Sequence, residues 1–286
     1  MLICFHGRHC YYALGPTTLA ARFCIASGLA TRRAVPFGNA ESLASNRRYS
    51  VSMDPRKEII LKLIVDEYIR TAEPVGSKLL VQKYGLGVSP ATIRNDMAVL
   101  EAEGFIKQPH TSAGRIPTEQ AYVFYLQHFV EAGRNRLRGA PIRKSFPFSQ
   151  DREEVVKFMA RRLVELSGET AIVAMGPKWS YYTGVSNLFM KPDFHDLALM
   201  QSISELVDQF DSVMANMFGR VSDDTVVMLG SQNPFGEQMS TIMVKYALPG
   251  SGEGLIGLIG PMRMNYARNM DLLERAKHIL DEEFSR

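Results

Sequence analysis

From Pro55 onward the apolar residues fall at three- and four-residue steps. Ile60, Leu63, Ile64 and Tyr68 share one side of a helical wheel, while Arg56, Lys57, Asp66 and Glu67 lie elsewhere on it. The pattern predicts a core-facing helix. TAEPVGS (71–77) interrupts it, Pro74 and Gly76 supplying the turn, and Ser77 can cap a second, shorter helix carrying Leu80 and Tyr84 before Gly85 and Gly87 end it. Ser89 followed by Pro90 starts a third helix: a hydroxyl accepts an orphan N–H, and proline takes the first helical position, where its missing donor costs nothing. Ile93, Met97 and Leu100 form that helix's inward face. FIKQP (105–109), apolar at its start and closed by proline, suits an edge strand, and a hairpin tip around Gly114 follows. Thr118 then caps a fourth helix whose Tyr122, Tyr125, Leu126, Phe129 and Val130 make an aromatic-rich stripe.

The pattern lapses in GRNRLRGAPIRKS (133–145) and resumes beyond it. Val155, Val156, Met159, Leu163 and Leu166 define a helix closed by Gly168, and TAIVAM (170–175) reads as a buried strand. KWSYYTGVSNLF has no firm assignment. A long amphipathic helix is expected from Asp193 to Phe218, then strands at TVVMLGS (225–231), MSTIMVKYAL (239–248) and GLIGLIG (254–260), and a last helix from about 265 to 284. Strands between helices in this order predict an α+β domain with helices gathered on one face of a largely antiparallel sheet. The expected organisation is an N-terminal extension over 1–52, a helical domain over 53–132, a basic linker over 133–150 and an α+β domain over 151–286.

Composition narrows the class. The chain has 286 residues, 46% of them hydrophobic, enough for two ordinary cores, and its apolar runs are too short for a membrane helix. No membrane association is expected. Cys4, Cys10 and Cys24 all fall in the first tenth of the chain, so the rest holds neither a disulfide nor a thiolate metal site, which points to a reducing, cytoplasmic setting. Residues 1–52 carry six Lys/Arg and one acid, a balance met in transit peptides. Nothing in them alternates, caps or packs, so they are expected to be a disordered tail, or a stretch upstream of a true start at Met53, outside the fold. Residues 133–150 carry five Lys/Arg and no acid, whereas 53–132 balance nine against ten.

Three helices, a strand and a hairpin in this order form a winged helix-turn-helix, in which the third helix enters the major groove of DNA and the hairpin is the wing. At 100° per residue, burying Ile93, Met97 and Leu100 turns Ala91, Asn95 and Ala98 outward, with Thr92 and Arg94 beside them. Small residues permit close approach, Arg94 suits a guanine edge, and Asn95 suits an adenine edge. Ser89 and Thr92 stand near the positive end of the helix dipole, placed for phosphate oxygens. At the wing, His110, Thr111, Ser112 and Arg115 offer hydrogen bonds and a cation to the DNA backbone or minor groove, while Gly114 lets the main chain come close. A helix-turn-helix used only for protein contacts shares the mild charge balance.

AEPVGSKLL, YGLGVSPATIRNDMAVLEAEGFIKQPHTSAGRIPT and, far downstream, YTGVSNLF, LGSQNP and GPMRMNYAR closely resemble the heat-inducible transcription repressor family HrcA of bacteria. The resemblance starts at Asp54 and runs through the wing nearly without interruption. It implies a heat-shock repressor that binds an inverted-repeat operator upstream of chaperone operons and is released on heat stress. A GAF-like domain behind the winged helix, a homodimer and a link to the GroE chaperonin are implied as well. The sequence departs from the family between Met175 and Tyr182, where members carry further strands and an inserted dimerising domain and this chain has only GPKWSY. A reduced GAF-like domain is therefore expected, with dimerisation falling to the aromatic fourth helix or an exposed sheet edge.

Other chemistry is thin. GEGLIGLIGPMRM spaces its glycines as G-x-x-G-x-x-G, neither the dinucleotide fingerprint nor a P-loop, and reads as a packed sheet edge. The competing reading is a small-molecule sensor whose C-terminal domain binds an anionic ligand, with Arg263 as counter-charge. His128, His195 and Asp196 have no partners at metal-ligand spacing, and Ser186 and Ser231 lack a nucleophile-elbow context. No catalytic residue, cofactor or metal is expected.

Overall fold

The computed structural model describes residues 2–6, 9–13, 53–130, 151–194, 197–221, 223–250 and 252–285. Two short strands come first, β1 (Leu2–His6) and β2 (His9–Ala13). The winged helix follows as α1 (Pro55–Thr71), α2 (Ser77–Tyr84), α3 (Pro90–Ala102), β3 (Ile106–Lys107), β4 (Ile116–Pro117) and α4 (Glu119–His128). The C-terminal unit comprises α5 (Arg152–Ser167), β5 (Thr170–Met175), β6 (Ser180–Thr183), α6 (Ser186–Phe189), α7 (Leu197–Met217), β7 (Thr225–Leu229), β8 (Met239–Leu248), β9 (Gly252–Pro261) and α8 (Tyr266–Phe284). The linker expected over 133–150 lies outside the described residues.

Local signals account for most helix ends. Asp54 caps α1 by accepting from the N–H of Arg56, ahead of Pro55 at the first helical position, and Gly85 ends α2 in the left-handed conformation. The core face of α1 is Ile60, Leu61, Ile64 and Val65, with Leu63 and Tyr68 at its margin. The unassigned KWSYYTGVSNLF supplies β6 and α6, and the long helix breaks into a short helical turn (Pro192–Phe194) before α7. His195 and Asp196 lie outside the described residues.

The large sheet is antiparallel throughout, in the order β2-β1-β7-β8-β9-β5-β6. Period-two alternation sends Ile242, Val244, Ile256 and Leu258 to one face and Met243, Leu255 and Ile259 to the other. The first face is covered by α5, α8 and the winged helix. The second is covered by α7, through Ile203, Phe210, Met214 and Met217. This corrects the expectation of helices on one face only: both faces of the central strands are apolar, so each needs a cover. The unit is an α+β domain, with β5 and β6 joined directly by residues 176–179.

A second correction concerns the N-terminus. Residues 2–6 and 9–13 form a hairpin whose first strand pairs with β7 from Leu2 opposite Met228 to Phe5 opposite Thr225. The backbone groups that β7 presents on its outer side are thereby hydrogen-bonded, as an edge strand requires. This segment belongs to the sheet; the remainder of 1–52 lies outside the described residues.

The winged helix and the C-terminal unit share one hydrophobic cluster, from Met53 in the first to Leu280 in the second. Tyr122 of α4 packs on Tyr266 of α8 with ring centroids 6.2 Å apart. Glu119, at the start of α4, accepts from the N–H and the hydroxyl of Ser231, each at 3.3 Å.

Candidate nucleic-acid interface

The third helix is built as its sequence requires. The Ser89 hydroxyl accepts from the N–H of Thr92 at 3.1 Å, and the two side-chain oxygens lie 3.0 Å apart. Ile93, Met97 and Leu100 are buried. Ser89, Ala91, Arg94 and Asn95 are exposed and Thr92 is half-buried, so the outward face inferred from helix geometry is open, and none of the described residues of the chain's second half covers it.

The wing is short: Ile106 pairs with Pro117 and Lys107 with Ile116. Its tip is folded on itself, Gln108 Nε2 donating to the carbonyls of Thr111 (2.9 Å) and Ala113 (3.1 Å). His110, Thr111 and Ser112 stand exposed there, together on the surface as expected. Arg115 does not join them. Its guanidinium donates to Glu101 of α3, Nε to Oε2 at 3.0 Å, and its side chain is only 19% exposed. The close approach that Gly114 permits is likewise internal: a Cβ there would lie 2.5 Å from the carbonyl carbon and oxygen of Val75. Both residues join the wing to its own domain, because Arg115 also exchanges two 2.9 Å backbone hydrogen bonds with Val75.

Two carboxylates in this domain are not singled out by helical periodicity. Asp96, on the buried side of α3 and 8% exposed, receives Arg56 of α1 in bidentate fashion, Nε at 2.8 Å and Nη2 at 3.0 Å. Glu67 on α1, 2% exposed, accepts from Arg70, from Lys83 Nζ at 2.5 Å and from Tyr84 Oη at 2.9 Å. Hydrogen bonds from Arg70 and Lys83 outweigh the burial that opposes them and, with Tyr84, bring the Glu67 carboxyl down to about 2. The contact ties the end of α2 to α1, fixing the turn on which α3 is mounted. An acid inside an apolar stripe, as at Asp96 between Ile93 and Met97, is the signal in the sequence for a buried partner.

The glycines of β9 are packed positions in the sheet. A Cβ at Gly254 would strike the Tyr246 ring, and one at Gly257 would come within 2.7 Å of the Ile242 carbonyl oxygen. β9 is a central strand, between β8 and β5, where an edge position was expected. Arg263 is taken by Asp193 at 2.6 to 2.8 Å, so the cation invoked for an anionic ligand is already neutralised. His128 stacks on Phe124 with its Nδ1 2.9 Å from that residue's carbonyl oxygen, and Ser231 is engaged by Glu119. Among the described residues no group of three His, Cys, Asp or Glu is placed to hold a metal, and no helix is long and apolar enough to cross a membrane.

A three-helix domain with an open third helix and a hairpin wing, mounted on an α+β domain, defines a winged-helix transcription regulator, and a DeoR-like helix-turn-helix domain matches residues 56–119. The HrcA protein C terminal domain matches residues 126–270, half of the chain, and the chain belongs to the HrcA family of heat-inducible transcription repressors. A heat-inducible transcription repressor HrcA of Natranaerobius thermophilus is 32% identical over 249 residues, covering 82% of this chain and 65% of that relative. The chain thus spans just under two thirds of that protein's length. The Brevibacillus brevis repressor of the same name is 26% identical, with 77% of this chain and 95% of the relative covered. Over 81 residues, 28% of this chain and 24% of the relative, identity to the Desulforudis audaxviator repressor rises to 57%. A crystal structure described as a hypothetical protein has the same fold, with a TM-score of 0.69 at 20% identity, covering 82% of this chain and 99% of its own.

Proposed function

We propose that the protein is a sequence-specific DNA-binding repressor of heat-shock chaperone genes, acting in the cytoplasm. α3 lies in the major groove, and Arg94 and Asn95 read base edges. Ser89, Ala91 and Thr92 approach the backbone at the helix N-terminus, and His110, Thr111 and Ser112 bring the wing tip to phosphate or the minor groove. The observation that carries this reading is the exposure of Ala91, Arg94 and Asn95 on a helix whose opposite face is fully buried. Family membership supports the rest: an inverted-repeat operator, read by a homodimer because a palindrome calls for a two-fold reader, release on heat stress, and a link to the GroE chaperonin. No enzymatic activity is part of the proposal.

Selection of bound sequences from a random duplex pool tests it. An inverted repeat is expected from the unaltered protein, and Arg94→Ala is expected to lose preference at one position of each half-site, by about 1–3 kcal/mol. Recovery of no common sequence, or unaltered preference in Arg94→Ala, contradicts it.

A further inference from the structure

Arg115 sits where three segments meet. Its backbone bridges to Val75 in the turn between α1 and α2, and its guanidinium is bound to Glu101 near the end of α3. Five residues earlier on the same helix, Asp96 is bound by Arg56 from α1. At 1.5 Å per residue the two anchors lie about 7.5 Å apart along the helix axis. A helix held at one point can rock about it; the second anchor removes that freedom. Glu101 is also seven residues beyond Arg94, so two helical turns place it on nearly the same side of α3. The base of the wing therefore grips the flank of the helix that carries Arg94, just past the end of the reading face.

We infer that Arg115 is a positioning residue: through Glu101 it sets the angle between wing and recognition helix, and so the bases that Arg94 and Asn95 reach. This rests on the DNA-binding proposal above. A guanidinium committed to a carboxylate is largely neutralised, and carrying it to a phosphate would leave Glu101 unpaired beside the polyanion. The exposed side chains at the wing tip, those of His110, Thr111 and Ser112, are placed for the backbone contacts instead.

The test compares Arg115→Glu, Glu101→Arg and the double exchange, measuring affinity for the selected operator and for an unrelated duplex over a range of salt. Each single variant is expected to lose about tenfold of its operator preference, and the double exchange to restore most of it. In Arg115→Gln the slope of log affinity against log salt is expected to stay at the unaltered protein's value. A slope reduced by about 0.9 identifies Arg115 as a phosphate contact and overturns the inference while leaving the DNA-binding proposal intact. Absence of rescue in a folded double exchange overturns it too. Should the charge-reversed single variants not fold, Glu101→Gln, which keeps the side chain's shape, must still lose operator preference; unchanged preference there is fatal. Failure of the unaltered protein to select any sequence is a separate result, against DNA binding itself.

Discussion

Arg263, in the turn that leads from β9 into α8, donates from Nε to both carboxylate oxygens of Asp193 at 2.8 Å, and both side chains are largely covered. The same guanidinium lies 3.5 Å from the carbonyl oxygen of Ile69 in α1. One ion pair thus holds together the last strand, the short turn before α7 and the first helix of the winged helix. Arg263→Ala leaves Asp193 desolvated without its cation, at a cost of about 2 kcal/mol. Calorimetry is expected to show a midpoint lower by about 5 °C. Arg263→Lys, which keeps the charge but loses the fork, should fall between the two; equal midpoints for all three proteins contradict this account.

Tyr122 is buried against Tyr266 at the junction of the two units, and its hydroxyl has no hydrogen-bond partner among the described residues. Burial pushes its ionisation well above the usual tyrosine range, so the group stays neutral. Removing an unsatisfied hydroxyl while keeping the ring removes a desolvation cost. Tyr122→Phe is expected to match the unaltered protein or gain up to about 1 kcal/mol in urea unfolding. A loss of that size would mean the hydroxyl has a partner.

Glu67 gives the winged helix an acid-sensitive contact. Its folded carboxyl titrates near 2 against 4.5 for the free group, so the stabilisation is fully present above about pH 4.5 and is lost as pH falls towards 2. Glu67→Gln keeps the shape but cannot attract Arg70 and Lys83. It should cost about 2 kcal/mol at pH 7 and leave the curve of stability against pH flatter between pH 4.5 and 2. Parallel acid limbs for the two proteins would remove Glu67 from the account.

Gly114 is required by proximity. A Cβ there would meet backbone atoms of Val75 and Pro74, which cannot rotate away as a side-chain tip can. Gly114→Ala should shift the wing from the α1–α2 turn, destabilise the domain by about 2 kcal/mol and weaken operator binding with the helices still formed by far-ultraviolet circular dichroism. An alanine variant as stable and as tightly binding as the unaltered protein would show that the wing can move without consequence.

The outward face of α3 is legible in the sequence because its determinants are local. Ser89 and Pro90 set the start of α3, the apolar triad Ile93, Met97 and Leu100 sets its rotation, and 100° per residue then places Ala91, Thr92, Arg94 and Asn95. His110, Thr111 and Ser112 follow from the hairpin in the same way. Arg115 does not, since its carboxylate partner is 14 residues away on another element, and the Asp96 and Arg56 pair spans 40.

By itself the sequence determined the helices of the winged helix, the Ser89 cap and outward face of α3, and the mixed character of the C-terminal unit. These arise from periodicity and from hydrogen bonds between residues a few positions apart. The caps expected at Ser77 and Thr118 are not made, since α2 starts after Gly76 and the Thr118 hydroxyl donates to the carbonyls of Gly104 and Phe105 instead. Only the tertiary structure decided which charged groups are free to meet a ligand and which are spent on one another. It also decided that Gly114 serves an internal contact, that both sheet faces are covered, and that β1 completes the β7 edge. Ion pairing, close backbone approach and strand pairing are settled by distance in space, and that distance is set by how the elements pack rather than by their order along the chain.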